Sequence, residues 1–162
     1  MYRGRGLVMD ENLMKKAVAL SLQNIEEGGG PFGAVVVKGE EIVGVGINRV
    51  TANNDPTAHA EVMAIRDAAA RLGRFDLSDC EIYTSCEPCP MCLGAIYWAR
   101  IKKVYYGNTK QDAARIGFDD GFIYEELAKP LDQRSVAFVQ LLPEAAAGAF
   151  KLWEQKSDKR RY

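Results

Sequence analysis

The spacing of apolar residues changes several times along the chain, and each change predicts an element. Leu13, Ala17, Val18, Leu20, Leu22 and Ile25 recur at helical spacing behind Asp10, a good capping residue, until Gly28-Gly29-Gly30-Pro31 stops the run. The period then falls to that of strands. Ala34-Val35-Val36-Val37 and Glu41 to Ile47, joined by Lys38-Gly39-Glu40, predict a hairpin whose second strand ends at Asn48. Residues 49–57, rich in Thr, Asn, Asp and Pro, read as a loop, and the Ala-rich stretch Ala58 to Leu72 as a helix terminated by Gly73. A strand at Cys80 to Ser85, a helix at Pro90 to Arg100 and a strand at Ile101 to Tyr106 follow. Beyond Gly107 the pattern predicts a short helix near Gln111 to Arg115, a Gly117-Phe118-Asp119-Asp120 turn and a helix near Ile123 to Leu127. A strand at Val136 to Leu142 and a helix from about Glu144 to Lys156 complete it.

The order αββαβαβ places the chain in the α/β class, as a three-layer α/β/α sandwich with a central mixed sheet of about five strands. With 162 residues, 48% of them hydrophobic, the chain has the material for one well-filled domain spanning 1–162, with 1–9 as an N-terminal extension and 143–162 as a terminal helix and tail. A net charge of −1 and a pI near 5.9 argue against a function built on attraction to phosphate backbones, so nucleic acid is not the expected partner. Leu7-Val8-Met9 is too short for a signal-peptide core, and no run approaches the ~18 apolar residues of a membrane helix. The expected location is therefore the cytoplasm, where thiols stay reduced, so the four cysteines are expected as metal ligands, catalytic groups or apolar filler. His59 is the one histidine, so any chemistry that needs imidazole must use it.

Two short texts carry the chemistry: Thr57-Ala58-His59-Ala60-Glu61 and Cys86-Glu87-Pro88-Cys89-Pro90-Met91-Cys92, each at a helix start. One histidine and two cysteines can give zinc three ligands and leave one position for water. Helix N-termini suit thiolates, because their free N–H groups and dipole stabilise negative charge. Two Cys-x-x-Cys registers overlap. Pro90 fits the first helical position, which makes Cys89 the cap and puts Cys92 on the same face one turn in. Pro88 pushes Glu87 toward extended backbone and leaves Cys86 at the strand end, so the expected ligands are His59, Cys89 and Cys92. Glu61, two positions after His59, does not share its face but can reach over the open position. There it can move a proton from activated water to a leaving amine, which is hydrolytic deamination. The competing reading is a structural zinc module, closed by Cys86 as a fourth ligand.

Other features carry less. The glycines at 28–33 and Gly44-x-Gly46 lack the Gly-Lys-Ser/Thr of a phosphate loop. Tyr97 and Trp98 read as core or interface, Cys80 as apolar filler, and the basic run Lys156 to Arg161 as a solvated end.

The pairing of His-x-Glu with Pro-Cys-x-x-Cys resembles the cytidine deaminase superfamily of zinc-dependent deaminases. Gly29-Gly30-Pro31-Phe32-Gly33-Ala34, Asn54 to Glu61, Ser85 to Cys92, Gly117-Phe118-Asp119-Asp120 and the terminal Tyr162 resemble in particular the small bacterial guanine deaminases, from about residue 12 onward. The resemblance implies one zinc per subunit on His59, Cys89 and Cys92, and Glu61 as proton shuttle. It also implies that Asn48 and the Ala60 N–H hold a purine base, Asp120 bonds the base and assists proton transfer, and Phe32 packs on the ring. It further implies a homodimer in which the C-terminal segment crosses to the partner and Tyr162 closes the partner's site. The expected reaction is conversion of guanine to xanthine and ammonia in purine catabolism or salvage. Guanosine, cytosine, ammeline or a tRNA adenosine are the alternative substrates.

Overall fold

The computed structural model describes residues 10–162, so the extension at 1–9 lies outside the described residues. The chain divides into two compact units, one ending at Asp120 and the other running from Gly121 to Tyr162.

In the first unit, α1 (Glu11–Glu26) is capped by the Asp10 carboxylate, which accepts the Asn12 N–H at 2.8 Å. The hairpin β1 (Gly33–Lys38) and β2 (Glu41–Ile47) follows, then a short α2 (Val50–Asn53) inside the segment expected as loop. Helix α3 (Ala60–Leu72) ends at Gly73, whose φ of +63° is a left-handed value that glycine adopts freely. Strand β3 (Glu81–Cys86), helix α4 (Pro90–Trp98), strand β4 (Val104–Asn108) and helix α5 (Lys110–Arg115) complete it.

The sheet has four strands in the order β2-β1-β3-β4. β1 is antiparallel to both neighbours, and β3 and β4 are parallel across the α4 crossover. Strand alternation divides the core: Ala34, Val36 and Ile82 meet Ala60, Ala64, Ala68 and Ile96 on one face, while Val35, Val37 and Tyr83 meet Leu13 and Ala17 on the other. The result is the expected mixed sheet with helices on both sides. The alanines of α3 let it lie close on β2. A Cβ on Gly44 would come within 2.7 Å of the Ala68 Cβ, and one on Gly46 would overlap the Ala60 carbonyl.

β4 begins later than expected because the Ile101 N–H closes the end of α4 on the Ile96 carbonyl at 3.2 Å and cannot serve a ladder. Cys80 is buried as filler, whereas Tyr97 and Trp98 are exposed.

The second unit contains α6 (Gly121–Ala128), a 3-10 turn at Leu131–Gln133 and α7 (Pro143–Gln155). The strand expected at Val136 to Leu142 does not form. An apolar run becomes a strand only when a neighbour takes its N–H and C=O groups, and this one pairs with none of the four. No residue of the second unit is buried.

Candidate active site

Two helix starts face each other. His59 caps α3 in extended backbone and makes no cap bond with its side chain, which leaves the imidazole free to turn away from its own helix. Cys89 caps α4 with Pro90 in the first helical position, and Cys92 lies in the first turn and is fully buried. The Cys89 and Cys92 sulfurs each lie 3.5 Å from His59 Nδ1, and all three donor atoms fall within 4.8 Å of one another. Tetrahedral bonds of about 2.3 Å to sulfur and about 2.0–2.1 Å to nitrogen require an N···S separation of about 3.5–3.6 Å. The spacing therefore fits zinc, and one nitrogen with two sulfurs is a donor set that favours it.

Cys86 stands apart. Its thiol points to the Thr109 carbonyl at 3.8 Å, and burial together with the charges of Glu61, Glu87 and Asp120 pushes it up to about 11. A closed four-ligand site would need that sulfur among the donors. Cys89, by contrast, is held down to about 4, first by the hydrogen bond from the Cys92 thiol, then by His59 and the Cys92 N–H. Cys92 is pushed up by giving that hydrogen bond and by burial. The two sulfurs are thus pushed in opposite directions, and a bound cation would favour the thiolate at both. The bond to the Cys89 sulfur raises His59 against the effect of burial.

Glu61 sits in the first turn of α3, 6% exposed. Its Oε2 accepts the Cys92 thiol at 3.4 Å and its Oε1 accepts the Thr84 hydroxyl at 3.3 Å. Burial pushes its carboxyl above the ordinary value, although hydrogen bonds from its own N–H and from Cys92 resist. A carboxyl raised by burial is a better proton acceptor than a solvated one and can return the proton it takes. Thr84, whose single hydroxyl proton is shared between Glu61 and the Cys86 carbonyl at 3.0 Å, is not among the residues the sequence pointed to. A hydroxyl in the Ile82-Thr84 alternation, on a core-facing side, was the signal for it.

Of the other expected residues, Asn48, Ala60, Phe32 and Asp120 lie in the first unit and Tyr162 in the second. Asn48, after β2, is 9% exposed, and its Oδ1 accepts the Val50 N–H at 3.2 Å while its own N–H donates to the Phe32 carbonyl at 3.2 Å. Ala60 is fully buried, and as the first residue of α3 its N–H has no intrahelical acceptor. Phe32 packs edge-on against Phe118, ring centres 5.0 Å apart, which joins the glycine turn to the Gly117–Asp120 turn. Asp120 is pushed up by burial, with the negative charge of Cys89 adding to the rise. Tyr162 ends the second unit and is exposed. Among the described residues His59, Cys89 and Cys92 form the cluster of three close donors, and no helix is long and apolar enough to cross a membrane.

Two opposed helix starts carrying His-x-Glu and Cys-x-x-Cys beneath a mixed sheet define the zinc deaminase class. Residues 8–108 match the cytidine and deoxycytidylate deaminase zinc-binding region, and the chain belongs to that family. It is 52% identical over 153 residues to a guanine deaminase of Bacillus subtilis (strain 168), covering 94% of this chain and 98% of that protein. A crystal structure of guanine deaminase from Bacillus subtilis superposes with a TM-score of 0.92 at 51% identity, covering 96% of this chain and 99% of the other. The tRNA-specific adenosine deaminase of Buchnera aphidicola subsp. Schizaphis graminum (strain Sg) is 38% identical over 109 residues, 67% of this chain and 72% of that protein. The likeness to guanine deaminase therefore runs beyond residue 108, where the family match ends.

Proposed function

We propose that the chain deaminates guanine hydrolytically to xanthine and ammonia. The observation that carries this reading is the convergence of His59, Cys89 and Cys92 beside Glu61, in a chain similar over almost its whole length to a guanine deaminase. Zinc on those three donors supplies the Lewis acidity that lets water attack an aromatic carbon at neutral pH.

The chain's own groups do the rest. Glu61 carries one proton of the attacking water to the ring nitrogen, then carries the proton of the hydroxyl now on C2 to the amino group, which leaves as ammonia as the C2 carbonyl of xanthine forms. The Thr84 hydroxyl holds Glu61 Oε1, so the carboxyl needs little reorganisation during transfer. The Asn48 amide and the Ala60 N–H bond acceptors on the base, and Phe32 covers the ring. Asp120 accepts a base N–H and assists the transfer. A site built to pair with base edges leaves its own buried groups unpaired against the wrong base, which can discriminate by as much as about 10⁴–10⁵.

The second unit supports a homodimer. Val136, Val139, Leu141, Leu142, Phe150 and Leu152 are each more than half exposed, a larger apolar surface than a solvated end keeps. A homodimer in which residues 143–162 cross to the partner would cover it and bring Tyr162 over the partner's base. A site that depends on two thiols suits a reducing compartment, which supports the cytoplasm as its location.

Ammonia release from guanine, guanosine, cytosine, cytidine, adenine and tRNA tests the reading. Free guanine is the expected substrate. Efficient turnover of guanosine without guanine would move the chain to the nucleosides, and turnover of tRNA alone would move it to the editing enzymes.

A further inference from the structure

Asn24 lies on the inward stripe of α1 with Leu13, Ala17 and Ser21 and is 1% exposed. An apolar residue would fill this place at less cost, since the Asn24 Oδ1 meets no donor among the described residues. What the amide contributes is its NH₂. Nδ2 donates to the Gly30 carbonyl at 2.8 Å and to the Asn48 carbonyl at 2.9 Å, so one side chain ties the glycine turn to the end of β2. The Asn24 carbonyl also accepts the Gly29 N–H at 2.7 Å, and a methyl on Gly29 would overlap the Asn24 side chain. The turn is thus folded around the amide.

The consequence falls on Asn48. Its N–H is held by Phe32, its carbonyl by Asn24 and its Oδ1 by Val50, while its Nδ2 bonds to no described residue. Three fixed groups aim the fourth. Phe32 stands two residues beyond the other carbonyl that Asn24 holds, so the same amide sets the seat of that ring.

We infer that Asn24 is a positioning residue for the base, its NH₂ setting the direction of Asn48 Nδ2 and the place of Phe32 together. This rests on the guanine reading above. Glu61 is held by Thr84 and the metal donors by the starts of α3 and α4, so loss of the Asn24 amide falls on KM more than on kcat.

The test uses the full-length, zinc-loaded protein carrying Asn24→Ala or Asn24→Leu, the second filling the volume without a donor. Both should raise KM for guanine about tenfold or more with kcat within about threefold. In an Asn48→Ala background the same substitution should add less than about twofold, because the two residues act as one unit. Amide exchange should quicken at residues 29–33 and 47–50 and stay unchanged at 81–86. Should Asn24→Ala not fold, Asn24→Leu supplies every reading. A wild-type KM in Asn24→Leu, losses that multiply in the double variant, or unchanged exchange at 29–33 and 47–50 would each overturn the inference. If the wild-type enzyme ignores guanine, the function reading fails, and the exchange result alone still decides Asn24.

Discussion

The two units of this chain solve the burial problem in opposite ways. In the first, β1 presents Val35 and Val37 to one helical layer and Ala34 and Val36 to the other, and all four are almost completely buried. In the second, two helices and a long irregular segment leave every residue at least partly in contact with solvent. The first unit therefore has the core to hold an ion cluster rigidly, as a preorganised site requires. The second has helix-forming sequence but no layer of its own to bury it against. Chemistry sits where burial is complete, and the second unit leaves its apolar surface uncovered.

That division can be broken first at the metal. His59→Ala, Cys89→Ser and Cys92→Ser should each lose zinc by elemental analysis, and with it all measurable turnover, while Cys86→Ser keeps both. Zinc loss in Cys86→Ser alone would transfer the site to the other register. Next in size, Glu61→Gln should keep the ion but lower turnover by about 10²–10⁴, since a positioned proton carrier contributes about that much. Near-normal turnover in a zinc-loaded Glu61→Gln protein would remove the proton role.

The dependence of the second unit is sharpened by deleting residues 159–162. Zinc content and Tm should hold while kcat/KM for guanine falls by about 10², the scale of lost positioning. Mixing this truncated chain with an inactive Glu61→Gln chain should restore part of the activity if the tail serves the partner. A defect that confirmed mixed dimers do not rescue would place the tail over its own site.

A smaller effect is expected within the first unit. Gly46→Ala would press a methyl onto the Ala60 carbonyl and displace the start of α3, at a cost of about 1–3 kcal/mol in chemical denaturation, the usual range for overpacking. Gly39→Ala, where a Cβ meets open space but φ is +62°, tests backbone strain without crowding and should cost less.

The smallest effect concerns acid. The Lys129 ammonium, with the N–H and hydroxyl of Ser135, holds the Glu126 carboxyl down to about 2. Its folded value lies below the ordinary carboxylate value of about 4.3, so this contribution is complete above about pH 5 and is lost as the pH falls toward about 2. Amide exchange at residues 126–135 should quicken over that window in the wild type, and Glu126→Gln should flatten the response.

What the sequence determined by itself was the local part. Asp10 as cap, Gly73 as stop and Pro90 in the first helical position fix backbone angles through neighbours a few residues away, so the helix starts bearing His59 and Cys89 were legible before any contact was known. The choice of Cys92 over Cys86 was legible for the same reason. The part that lay outside the sequence pattern is the part made by partners distant in the chain. Thr84 meets Glu61, Asn24 meets Asn48, and Cys86 turns to Thr109 only because the hairpin and the α4 crossover bring those segments together. The run Val136 to Leu142 shows the same limit from the other side: it has the apolar character of a strand, but a strand exists only where tertiary structure supplies the neighbouring N–H and C=O groups.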